Sequence, residues 1–120
     1  MCYRELVVAI LQQAVDDYIW SSKINRYKAE KCPDERYYNY YYDINNEDRK
    51  LKNRDIFKFK LSMFKDVKNF FTSDWGDLCC SAIFGLNCDG KQIYNQLLKR
   101  YGANSIIKDL YESCDEDIFI

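Results

Sequence analysis

The sequence predicts an all-α protein, with two long antiparallel helices and about three shorter helices packed at one end. Three observations predict it. One proline and four glycines in 120 residues leave few sharp breaks. Apolar residues recur at steps of three and four over Tyr3–Tyr18 and again over Ile56–Phe70. Capping residues and glycines then punctuate the second half at short intervals. With 48% hydrophobic and 31% charged residues, the chain reads as a single globular domain over residues 1–120.

The first helix is expected from about Tyr3 to Glu30. Tyr3, Val7, Ile10, Ala14 and Tyr18 form its apolar stripe, and Leu6 and Leu11 widen it. Asp17 follows Ile10 by seven residues, which brings it close to that stripe, partly buried and hydrogen-bonded. The more polar stretch from Ser21 to Lys31 projects from the core, and Pro33 ends the helix because it has no N–H for the ladder. Asn45–Asn46 before Glu47–Asp48 reads as the N-cap of a second helix reaching about Phe71. Ile56, Phe59, Met63, Val67 and Phe70 face its core, while Lys52, Arg54, Lys58, Lys60, Lys65 and Lys68 populate the other faces. Thr72 or Ser73 caps a third helix, about Asp74 to Phe84, with Gly85 as its terminator. Asn87-Cys88-Asp89-Gly90 opens a fourth with Ile93, Leu97 and Leu98 inward, which Gly102 stops. Asn104 or Ser105 begins a last helix, followed by an acidic stretch and apolar Ile118-Phe119-Ile120.

Between the long helices, at about 34–46, lies a connection with five tyrosines in six residues: Tyr37, Tyr38, Tyr40, Tyr41 and Tyr42, broken only by Asn39. The run fits neither helical spacing nor strict strand alternation, so it reads as a contact surface and not as core. Tyrosine supplies a stiff, amphipathic contact area at low entropic cost. A β-hairpin arm fits tyrosine's strand propensity, but the segment is short and lacks a turn pair.

Charge is unevenly spread around a net −1. Residues 23–60 carry eleven Lys/Arg against seven Asp/Glu, a local +4, and residues 108–120 carry five acids against Lys108, a local −4. The basic middle faces an acidic partner or is covered by the acidic end of its own chain. The apolar stretch Leu6–Ala14 is too short to span a bilayer and lacks a basic leader, so the expectation is a cytoplasmic protein with no membrane contact.

Catalytic chemistry finds little support. With no histidine, neither a Ser-His-Asp nor a Cys-His arrangement exists. No phosphate-binding glycine pattern occurs. Asp74 and Asp77, with Asp89, read as a helix-terminus acid and a solvated acid ahead of a loose Mg²⁺ site. Asn87-x-Asp89-Gly90 lacks the remainder of a calcium loop. The six cysteines show no C-x-x-C spacing, so reduced structural thiols are expected, and neither metal nor cofactor is called for.

Two segments carry a family resemblance: Ala9-Ile10-Leu11-Gln12-Gln13-Ala14-Val15-Asp16-Asp17-Tyr18, and Phe70-Phe71-Thr72-Ser73-Asp74-Trp75 continuing through Leu86-Asn87-Cys88-Asp89-Gly90-Lys91-Gln92-Ile93. They resemble small helical proteins of phages and integrative elements of Firmicutes. In those proteins an alanine-rich first helix ends in an acid–Tyr pair, and a Phe-x-Ser-Asp/Glu-Trp stretch precedes a short helix and an Asp-Gly turn. The likeness spans roughly a third of the chain, in a family with no assigned activity. The longer middle, with its tyrosine run, departs from the pattern. Physically, Asp17 is expected to meet Trp75 and tie the fold together, which assigns Asp17, Tyr18, Ser73 and Trp75 to folding.

The resulting expectation is a non-enzymatic interaction protein. The resemblance implies that it binds a host protein, a defence component such as a CRISPR effector, in the manner of an anti-CRISPR inhibitor. The contact residues are Tyr37, Tyr38, Tyr40, Tyr41 and Tyr42, with Arg49, Lys50, Lys52 and Arg54 setting orientation. The alternatives are a nucleic-acid binder using the same tyrosines and cations, and a homo-oligomer that covers the tyrosines with a second copy.

Overall fold

The computed structural model describes residues 3–23 and 29–101. It is mostly helical. Helix α1 spans Tyr3–Ser21, α2 Asn53–Thr72, α3 Asp74–Phe84 and α4 Gly90–Tyr101. A 3₁₀ helix, Glu35–Tyr40, and a small antiparallel pair, β1 (Tyr42–Asp43) and β2 (Arg49–Lys50), lie between α1 and α2. The expected last helix, the acidic stretch and Ile118-Phe119-Ile120 lie outside the described residues, as do Cys2 and Cys114.

The two long helices pack antiparallel. Trp20, near the end of α1, shares a cluster with Ile56 in the first turn of α2, while Leu11 and Phe71 line one cleft farther along. Helices α3 and α4 lie across this pair and complete the main core: Val7, Leu11, Tyr18, Phe64, Val67, Phe71, Cys79, Cys80, Tyr94 and Leu97. The 3₁₀ helix packs on α2 beside Trp20 and Ile56.

Helix α1 stops at Ser21, well before Pro33. Ser21 Oγ and Ser22 Oγ donate to the carbonyls of Tyr18 and Ile19, at 3.3 and 3.1 Å, offering the last turn side-chain partners in place of further helix. Both serines are buried, which corrects the expectation of a projecting stretch at Ser21 and Ser22; residues 24–28 of that stretch lie outside the described residues.

The start of α2 is also corrected. Asn45 caps no helix; its N–H donates to Asp43 Oδ1 at 3.1 Å within the β1–β2 loop. Glu47 and Asp48 adopt left-handed conformations, φ 53° and 55°, that reverse the chain. The helix begins eight residues later at Asn53, with Lys52 at the N-cap contributing no side-chain bond. Its buried stripe is Ile56, Lys60, Phe64, Val67 and Phe71, rotated from the expected one. Phe59 is 37% exposed, and Met63 and Phe70 are only half-buried.

The α2–α3 and α3–α4 junctions agree with the sequence reading. Ser73 Oγ accepts from Gly76 N–H at 3.1 Å, and Gly85 ends α3 at φ 103°. Asp89 and Gln92 form a reciprocal capping pair at the start of α4, Asp89 Oδ1 accepting from Gln92 N–H and Gln92 Oε1 from Asp89 N–H. Asp77 is not a solvated acid: its Oδ1 accepts from Gly90 N–H at 2.8 Å and fastens α3 to the N-terminus of α4. Gly76 and Gly90 are required sterically. A Cβ on either would fall inside the contact radius of a carbonyl oxygen at the end of α2, that of Phe70 or Phe71.

Candidate functional site

The first part of the tyrosine run, Tyr37 to Tyr40, has three residues per turn. Asp34 caps the 3₁₀ helix by accepting from Arg36 N–H at 2.8 Å. Residues three apart then share a face, so Tyr37 and Tyr40 both stack on Trp20, with ring centroids 4.7 and 5.2 Å away. Tyr41 follows and buries its ring against the same indole, its hydroxyl accepting from Trp20 Nε1 at 2.9 Å.

The run therefore divides. Tyr37 and Tyr41 are core residues, 3% and 1% exposed, which corrects the expectation that all five tyrosines stand outside the core. Tyr37 Oη donates to Asp17 Oδ1 at 2.9 Å. That bond also corrects the expected Asp17–Trp75 contact: Asp17 is partly buried and hydrogen-bonded as foreseen, but its partners are Tyr37 and Gln13, and Trp75 is largely exposed. The remaining three tyrosines reach the surface. Tyr38 stacks on Tyr42 at 4.6 Å, and Tyr40 packs on Phe59 at 5.1 Å. Burial, then the bond to Asp17, raises the Tyr37 phenol well above its ordinary value.

The four expected cations also converge. Arg49 and Lys50 are exposed on β2, registered opposite Asp43 and Tyr42. Lys52 and Arg54 stand at the start of α2. Together they line a polar cleft of about 280 Å³ with Asp43 and Asp55. The basic group thus lies beside Tyr42, on the hairpin edge of the tyrosine surface.

Lys60 is the residue that sequence reasoning misplaced. Expected on a solvated face, it occupies the core stripe of α2 and is 2% exposed. Its ammonium donates to the Lys23 carbonyl and to Glu30 Oε2, the latter at 3.2 Å, and lies 5.4 Å from the Trp20 ring centroid. Burial pushes its pKa down against the pull of Glu30. Glu30 N–H in turn donates to Asn53 Oδ1 at 3.0 Å, tying the approach to the tyrosine segment onto α2. The cleft above this group holds about 340 Å³ and is walled by Trp20, Tyr37, Tyr41 and Lys60. Arg36 closes part of its rim, bound to Asp16 and Asp34 at 2.9 Å each.

Among the described residues no three His, Cys, Asp or Glu side chains converge in a way that holds a metal ion, and no helix is long and apolar enough to cross a membrane. The four described cysteines, Cys32, Cys79, Cys80 and Cys88, are free thiols. No protein-family model, curated protein or solved structure matches this chain.

Proposed function

We propose that this protein is a non-enzymatic interaction module that binds a host protein through Tyr38, Tyr40 and Tyr42. The observation that carries the reading is the division of the tyrosine run. Tyr37 and Tyr41 anchor the segment to Trp20 and Asp17, and on that anchored base Tyr38 stands at the surface with the partly buried rings of Tyr40 and Tyr42. Aromatic side chains held rigid before contact lose little entropy on binding, which is what a recognition surface needs. The resemblance to phage and mobile-element proteins extends the proposal to the target: a host defence component such as a CRISPR effector, met and inhibited in the cytoplasm.

A second reading has its own observation in its favour. The convergence of Arg49, Lys50, Lys52 and Arg54 on one cleft suits a phosphate backbone, with the neighbouring tyrosines offering faces to bases. Against it, Asp34, Glu35, Glu47 and Asp48 stand exposed in the same segment.

The test is affinity purification of tagged protein from a bacterial host lysate, with and without nuclease, beside the variant Tyr38→Ala/Tyr40→Ala/Tyr42→Ala. A stoichiometric, nuclease-resistant protein retained by the parent and lost by the variant is the expected result. Recovery of nucleic acid that leaves at high salt would transfer the assignment to the second reading. A doubled mass without any partner would mean that the tyrosines meet a second copy.

A further inference from the structure

Helix α2 carries two apolar stripes, and among the described residues one is fully buried while the other is covered only in part. Ile56, Phe64, Val67 and Phe71 are buried in the described core. Phe59, Met63 and Phe70, at steps of four and seven, lie along the other flank and stay exposed or half-buried. Facing Met63 and Phe70 on α1 are half-buried Ile10 and Ala14 and exposed Ala9, and the two alanines leave room between the helices. The result is an open groove of about 410 Å³ with an apolar floor. Beyond Met63, outside the groove's lining, Phe59 packs on Tyr40, so the groove lies on the same helix as the surface assigned above to partner binding.

Its charge has one sign. The ionisable residues that line the groove are Asp17 and Asp66, both carboxylates. Arg36 reaches Gln13 at the groove's edge, but its guanidinium is already paired with Asp16 and Asp34. From Met63 to Phe70 the groove follows α2 for about 10 Å, two helical turns. Such a trough suits a helix that sets apolar side chains at i, i+3 or i+4, and i+7 into the floor and basic side chains toward the rim.

We propose that the α1–α2 groove docks an amphipathic helix of the partner protein, apolar on the buried side and lysine- or arginine-rich along the edge that meets Asp17 and Asp66. The inference rests on the protein-binding reading and names the kind of element recognised. It assigns the partner's hydrophobic anchors to the groove and leaves the tyrosines to the adjoining rim.

The test uses the full chain and a designed peptide of about 15 residues, long enough to favour helix, with leucine on one face and lysine on the other. An otherwise identical peptide carrying glutamate in place of lysine is the control. Calorimetry should give binding of the lysine peptide at least tenfold tighter than of the glutamate peptide. Amide shift changes should map to α1 and α2 around Ala14 and Met63. Asp66→Lys, at an exposed position, should weaken the lysine peptide tenfold or more with unchanged circular dichroism, and Ala9→Arg should do the same by filling the groove. Equal binding of both peptides, indifference to Asp66→Lys, or shifts confined to the β1–β2 hairpin would overturn the proposal. So would a dimer in sedimentation whose interface is these same residues. Failure of the peptide alongside tyrosine-dependent capture from lysate would remove the groove and leave the interaction reading intact. Peptide binding with no lysate partner would do the reverse.

Discussion

The main core and the tyrosine cluster solve the same packing problem with different chemistry. Around Val7, Phe64 and Phe71 the interior is nearly all hydrocarbon, aromatic ring and thiol, and helix α4 approaches closely enough to need Gly90 against α2. Around Trp20, Tyr37, Tyr41 and Ile56 almost every buried group has a polar end with a named partner: indole to Tyr41, phenol to Asp17, Lys60 to Glu30. The first kind of core depends on shape and tolerates chemistry that keeps volume. The second depends on pairing, because a buried donor that loses its acceptor carries the full desolvation cost. A region built this way holds one geometry or none, which suits the proposed role of presenting Tyr38, Tyr40 and Tyr42 in fixed positions.

The sharpest way to break the comparison is on the hydrocarbon side. Gly90→Ala should prevent the native fold, since the added methyl meets backbone and not a flexible side chain. Loss of cooperative thermal unfolding would show it, and a near-normal Tm would mean that α4 can shift away from α2.

Raising the pH attacks both regions. Burial, with Tyr94 nearby, pushes the Tyr18 phenol up to about 12, and burial raises Tyr37 and Tyr41 as well and lifts the Cys80 thiol to about 11. Each acid keeps a proton in the fold that the unfolded chain releases near its ordinary value. The folded state therefore binds more protons above about pH 9, and stability falls as pH rises from there through the folded values, by about 1.4 kcal/mol per pH unit for each group in its window. Lys60 acts in the opposite sense, because its lowered folded value makes stability rise toward its ordinary pKa, but it is one group against several. Phenolate absorbance should stay suppressed for these tyrosines until circular dichroism reports unfolding.

Next in size is the buried ion pair. Glu30→Ala strands the Lys60 ammonium and should cost about 3–5 kcal/mol, whereas Lys60→Met, which removes the charge and keeps the volume, should fall within about 1 kcal/mol of the parent. Denaturant melts of the two variants decide it, and equal losses would contradict the pairing account. Smaller again, Tyr41→Phe deletes only the acceptor for Trp20 Nε1 and should cost about 1–3 kcal/mol, while Tyr38→Phe should leave the melt unchanged.

How much of this was legible in the sequence follows the same divide. The Ser73 cap and Gly85 stop of α3 and the Asp89–Gly90 start of α4 are local signals, and the structure follows them; the apolar stripe expected on α1 holds at Val7, Leu11 and Tyr18, while Tyr3 and Leu6 are exposed. The buried face of α2 is not local: Ile56, Phe59, Met63 and Val67 form as regular a stripe as the one used, and the approach of the Lys23 carbonyl, Glu30 and Trp20 makes Lys60 acceptable inside. Asn45–Asn46 resembled an N-cap because its acids suit a first turn, but Asp43 captured the Asn45 amide first. The tyrosine run matches neither the strand period nor the α-helical one. The pair Tyr37 and Tyr40 behind Asp34 is a three-residue period, and it was the available clue. The four cations were legible as a group, and what chain order concealed was the hairpin that gathers them.

The account turns on one division within six residues, and paired variants test it directly. Thermal melts and lysate capture would be measured in parallel for Tyr37→Ala/Tyr41→Ala and for Tyr38→Ala/Tyr42→Ala. The account predicts that the first pair loses its cooperative melt, and that the second melts like the parent but no longer retains the partner. A second pair as destabilised as the first, or a first pair that folds normally, would contradict it.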